Sequence, residues 1–97
     1  MTSTSNLPNT VHHNPAQACF ETTVDGHRAV LEYVLESGVM VITHTGVPEA
    51  IGGRGIAADL TRAALAHARA AGLKVVPACA YAAAFMQRHS EYTDLLG

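Results

Sequence analysis

Three glycines within four residues, Gly52-Gly53-Arg54-Gly55, stand where an apolar run gives way to a helical pattern. The first amides of a helix have no intrahelical partner, and the helix dipole is positive there. Glycines let an anion approach the backbone closely and tolerate positive φ. The placement makes a ready anion site, best suited to a pyrophosphate. Arg54 can touch a phosphate or stay solvated. A second residue of interest is Cys79, at the end of a short apolar run and just before another helical pattern. A thiol there feels the positive end of the helix, which favours the thiolate. The alternative is a packed cysteine, since free cysteines are commonly buried.

Other chemistries fit less well. Gly53-Arg54-Gly55-Ile56-Ala57-Ala58 matches the dinucleotide pattern G-x-G-x-x-A. That pattern expects an acidic residue about 20 residues on, at the end of the next strand. Here the next strand ends in Pro77-Ala78-Cys79, without an acid. No Gly-Lys-Ser/Thr exists, so a P-loop is excluded. His12, His13, Cys19, His27, His44 and Cys79 lack the pair spacing of a zinc site. No metal is expected.

The elements that must position these residues can be traced by periodicity. Gln17 to Val24 favours a strand, and Asp25-Gly26 signals a hairpin turn. Arg28 to Glu36 alternates, with Leu31, Tyr33 and Leu35 pointing one way. Ser37-Gly38 makes the next turn. Val39 to Thr45 is apolar on both faces until His44, which predicts cover on both sides. A helix follows from about Gly55 to Ala71, with Asp59, Arg62 and Arg69 on one narrow stripe. Gly72 ends it. Lys74 to Pro77 is a short strand, Ala80 to Arg88 a second helix, and a short element closes the chain. The predicted fold is α/β of the α+β kind. A three-stranded antiparallel meander leads into α-β-α, forming one mixed sheet. The last meander strand and the strand at 73–77 are expected to be parallel neighbours.

Ninety-seven residues make one domain. Residues 1–14, rich in Ser, Thr, Asn, Pro and His, are expected to be a flexible tail. Residues 15–97 then form the single domain. Six basic against eight acidic residues leave a net charge of −2, so no basic excess exists to neutralise nucleic acid. No apolar run approaches the roughly 20 residues that span a bilayer. Two cysteines and no secretory-type start point to a reducing, cytoplasmic setting. Small domains gain from oligomerisation, so a homodimer is an open alternative.

Val47-Pro48-Glu49, then Gly52-Gly53-Arg54-Gly55-Ile56-Ala57, then a helix, resembles the coenzyme A loop of the GNAT superfamily of N-acetyltransferases. Gly55-Ile56-Ala57 matches the end of the superfamily signature Arg/Gln-x-x-Gly-x-Gly/Ala. Gly52 stands where that signature has Arg or Gln, so a side chain is lost but the amides remain. The resemblance is closer to a short stand-alone branch of about one hundred residues. Four motifs carry it: His44-Thr45-Gly46-Val47-Pro48, Gly53 to Ala57, Gly72 to Cys79, and His89-Ser90-Glu91-Tyr92. The branch lacks the N-terminal helices that build an amine site in larger members, and so does this chain.

The resemblance implies a GNAT-like sheet and an acetyl-CoA-dependent N-acetyltransferase. Val47, Gly52, Gly53, Arg54, Gly55, Ile56 and Ala57 would bind acetyl-CoA as co-substrate. The acetyl thioester would lie near Cys79, which could carry the acetyl group before transfer. The superfamily's proton-donating Tyr falls on Met86, which has no proton to give; Tyr81 is a substitute without a known aim. Direct transfer to an amine needs a general base. His44 and, on a neighbouring strand, Glu32 are the candidates. His89, Glu91 and Tyr92 are expected to be structural. The acceptor is an unidentified small-molecule or protein amine. The competing function is a CoA-binding module that docks a protein partner and does no chemistry. A purely structural dimerisation domain is the third class.

Overall fold

In the computed structural model, which describes residues 10–97, five strands form one sheet in the order β1-β2-β3-β4-β5. They are β1 (His12–Asn14), β2 (Cys19–Val24), β3 (His27–Glu36), β4 (Val39–Gly46) and β5 (Lys74–Pro77). The first four are antiparallel neighbours, and β4 pairs with β5 in parallel. Helix α1 (Ile56–Ala71) connects β4 to β5, and α2 (Ala80–Arg88) follows β5. A 3-10 segment, Ser90–Leu95, closes the chain. The expected mixed sheet followed by α-β-α is therefore the observed fold, with one strand more than the sequence reading counted.

Both hairpins are set by two-residue turns. Asp25 and Gly26 sit at φ 51° and 78°, and Ser37 and Gly38 repeat that geometry. Two positive φ values define the turn whose twist suits a tight hairpin. The register follows. Phe20 faces Leu31, Thr22 faces Ala29, and Tyr33 faces Ile42. These residues are buried and share one face of the sheet.

The two helices cover that face. Ile56, Leu60, Ala64, Leu65 and Ala68 of α1 join Ala82, Phe85 and Met86 of α2 in the same core as Leu31, Met40, Ile42 and Val75. The opposite face is less covered than the sequence predicts. Val34 and Val76 remain exposed, and Val39 and Val41 are half-buried. Alternation fixes which β4 residues turn outward, but it does not supply a layer to cover them.

The tail expected over residues 1–14 also needs correction. Residues 1–9 lie outside the described residues. Residues 12–14, however, form β1 and pair with β2. Ring packing explains why. His13 stacks on Phe20 at 4.2 Å and meets His67 of α1 edge-on at 4.3 Å. Its Nε2 lies 2.6 Å from the Tyr33 hydroxyl. Thr22 adds a hydrogen bond from its hydroxyl to the Thr10 carbonyl.

This packing predicts acid sensitivity. Burial, and after it the nearby His67, hold His13 below the ordinary histidine value of 6.5. The fold prefers the neutral ring, whereas the unfolded chain takes up the proton near the ordinary value. The contribution to stability is complete above that value and is lost as pH falls through the lower, folded one. Tyr33 from β3 and His67 from α1 are the titratable groups facing the ring. Thermal midpoints measured at pH 7.5 and at pH 5 should differ more for the native chain than for H13Q. Equal differences would remove His13 from the account.

Candidate functional site

The parallel pair β4 and β5 ends at one edge of the sheet, and both chemically distinctive segments lie there. The glycine loop follows β4, and Cys79 follows β5. Crevices outside the carboxyl ends of strands are where open α/β sheets commonly bind ligands.

The loop is pinned at both ends and exposed between. Ile51, at the end of the 3-10 turn Glu49–Ile51, and Ile56, the first residue of α1, are both buried. Gly52 to Gly55 between them are exposed. Gly53 and Gly55 have φ of 77° and 76°, where a side chain would be strained, and the space beside each is open. Gly52 has an ordinary extended backbone, so nothing local demands glycine there. Gly55 caps α1 without a side-chain hydrogen bond. The first amides of α1 are thus left without a side-chain acceptor at its N-cap. Val47 packs against the core before the loop begins. Arg54 reaches across to the β2–β3 turn, its Nη1 2.7 Å from Asp25 Oδ2, with both side chains exposed.

The strands part beside Cys79. Pairing between β4 and β5 stops at Ile42 and Pro77. The amides of Ala78 and Cys79 both donate to the Ile42 carbonyl, at 2.9 and 3.1 Å. Beyond that point β4 continues with β3 alone, while the other chain turns into α2. Cys79 is the N-cap of α2, and its sulfur accepts from the Ala82 amide at 3.5 Å. The thiol is half-buried and free. Thr45 Oγ1 also lies 3.5 Å from this sulfur.

His44 is not placed with Cys79. It is exposed and faces Glu32 across the strands. A Cβ on Gly46 would come within 2.9 Å of His44 Nε2, so the ring lies back over its own strand. No hydrogen bond joins His44 to Cys79 among the described residues. The cause is an irregularity in the β3–β4 register between Glu32 and Tyr33. Met40 and Ile42 point to the core, and plain alternation would send residue 44 there too. The bulge makes Thr43 the extra residue and reverses the sense. Thr45 faces the buried Leu31 instead, and His44 turns outward with Glu32. Sequence reasoning missed Thr45 for this reason.

The remaining candidates separate cleanly. Met86 is buried in the core. Tyr81 is half-buried, its ring 6.2 Å from Phe85. His89 stacks on Phe85 at 4.2 Å, Tyr92 lies 6.0 Å from the same ring, and the Glu91 carbonyl accepts from Arg69. These three residues hold the chain's closing segment. Cys19 is buried near Glu21 and Arg28, and burial above all pushes its thiol up. Among the described residues no three His, Cys, Asp or Glu side chains cluster for a metal, and no helix is long and apolar enough to cross a membrane.

Residues 19–95 match the family model of the GCN5-related N-acetyltransferases. No curated protein matches the chain. Among solved structures, the NMR solution structure of a GCN5-like candidate N-acetyltransferase from Staphylococcus aureus is similar to it. The two are 25% identical with a TM-score of 0.72, over 91% of this chain and 87% of that one.

Proposed function

The chain belongs to the GCN5-related N-acetyltransferase family, and on that premise we propose that it moves an acetyl group from acetyl-CoA to an amine through Cys79. The observation that carries this reading is the shared edge. An uncapped helix N-terminus with its glycine loop and a free thiol at the parting of β4 and β5 lie at the same ends of two parallel strands.

The residues fit the co-substrate. The backbone of Gly53, Gly55, Ile56 and Ala57 offers amides to a pyrophosphate, while the Gly52 amide already donates to the Glu49 carbonyl at 3.0 Å. Val47, half-buried against the core, follows the end of β4 and precedes the loop. Arg54 is held by Asp25 through an exposed ion pair, which is worth little in water. A phosphate can therefore take Arg54 over at small cost. We place the acyl-CoA-binding domain from β1 onward rather than from residue 15, and its work in a reducing cytoplasm.

Cys79 acts as the nucleophile. A bond forms from its thiolate sulfur to the acetyl carbon, the thioester bond to the CoA sulfur breaks, and CoA leaves as its own thiolate, the Cys79 proton having gone to water beforehand. No separate acid is required, which suits a site where buried Met86 stands in the proton donor's place. The acetyl group then passes from Cys79 to the amine nitrogen, and the nitrogen's proton goes to a base. His44 and its cross-strand neighbour Glu32 face the other side of the sheet from Cys79, so we assign that role to the Cys79 thiolate that the transfer itself releases.

Thermal-shift titration with acetyl-CoA, CoA and NADH tests the premise. A ligand at about 100 times its dissociation constant adds roughly 2.7 kcal/mol. In a domain of this size that raises the midpoint by more than about 10 °C. A rise with the CoA species alone is expected. No rise with any of them would reduce the glycine loop to a connection.

A further inference from the structure

We propose that Thr45 is the positioning residue of Cys79, its hydroxyl donating to the sulfur when the thiol ionises and so holding the thiolate at the opening between β4 and β5. The inference rests on the reading of Cys79 as the acyl carrier.

Three observations converge on it. The β3–β4 bulge turns Thr45, and not His44, to the core side of the sheet. Thr45 Oγ1 then lies 3.5 Å from Cys79 Sγ, across the gap where the two strands have stopped pairing. The sulfur's other neighbour is the Ala82 amide, which can only donate. The two protonation states of the sulfur use this frame unequally. A neutral thiol is a weak donor to Thr45 Oγ1. A thiolate accepts from the Ala82 amide and from the Thr45 hydroxyl at once, and hydrogen bonds to an ionised group are the stronger kind. The arrangement therefore favours the reactive form. It also fixes the direction in which the sulfur presents its remaining lone pair. His44, on the outer face beside Glu32, is not placed to do either.

The test reads the thiol itself, without acetyl-CoA or an amine. Iodoacetamide alkylation of Cys79 is followed across pH in the full chain by peptide mass spectrometry. Buried Cys19 serves as the internal reference. T45V removes the hydroxyl and keeps the shape. Losing one such hydrogen bond should slow alkylation at neutral pH about threefold to tenfold, while the rates converge with those of the native chain at high pH. T45S should restore the neutral-pH rate. A T45V profile superimposable on the native one would overturn the proposal. So would a loss of equal size at every pH, which reports access to the sulfur, or a T45S profile as slow as that of T45V. If circular dichroism shows T45V unfolded, T45A takes its place under the same criteria. The acyl-carrier reading fails separately, through full turnover without Cys79, and that result would leave the alkylation profiles standing.

Discussion

Replacing Cys79 should abolish the acetylated protein species and lower amine acetylation by at least about a hundredfold, the scale on which loss of a nucleophile is felt. Two variants are needed, because Cys79 has two jobs. Its sulfur also caps α2 by accepting from the Ala82 amide. C79A removes nucleophile and cap together, and a lost cap typically costs about 1 kcal/mol. C79S keeps an acceptor at the helix start, since serine is among the preferred caps. Its hydroxyl lacks an adjacent base to activate it: His44 faces the other side of the sheet. Both variants should therefore lose the acetyl adduct on intact mass spectrometry after incubation with acetyl-CoA. Only C79A should also lose stability. Full turnover by a folded C79S would end the covalent route and return the chemistry to direct transfer.

The fold was largely legible because its signals are local. Asp25-Gly26 and Ser37-Gly38 demand tight turns, so the three strands they join fall within about two residues of the pattern-based bounds, as such boundaries usually do. Gly72 ends α1 where expected, with its amide bonded back to the Arg69 carbonyl. The short strand β1 was not legible. His12, His13 and Asn14 carry no strand pattern, and what holds them is distant in sequence: Phe20, Tyr33 and His67. The site shows the same division. The glycine loop and Cys79 announce themselves by residue type and by position at helix starts. Thr45 does not, because its direction depends on one irregular pairing between β3 and β4. A one-residue change in register moves a side chain to the other face of a sheet. Sequence periodicity carries no sign of it here, and so the eye goes to His44.

Truncating Phe85 to alanine should cost about 3–5 kcal/mol, a large part of the roughly 5–15 kcal/mol that holds a domain together. Phe85 is 2% exposed and sits at the centre of the packing that fixes α2. Its ring stacks on His89, lies within 6.2 Å of Tyr81, and has the Arg62 guanidinium 5.5 Å from its centroid. One side chain thus joins α1, α2 and the closing segment. The cavity left by alanine cannot close without moving one of them. The thermal midpoint of F85A should fall by more than about 10 °C, and F85L, which refills most of the space, should recover much of that loss. The consequence reaches the site because α2 begins at Cys79. A helix held less firmly on the sheet no longer keeps the sulfur 3.5 Å from Thr45. Alkylation of Cys79 in F85A should lose its dependence on the Thr45 hydroxyl, so that adding T45V changes little at temperatures where F85A is still folded. A drop of less than about 3 °C in F85A would mean that α2 is held by contacts other than this ring. The position of Cys79 would then rest on the Ala78 and Cys79 amides bonded to Ile42.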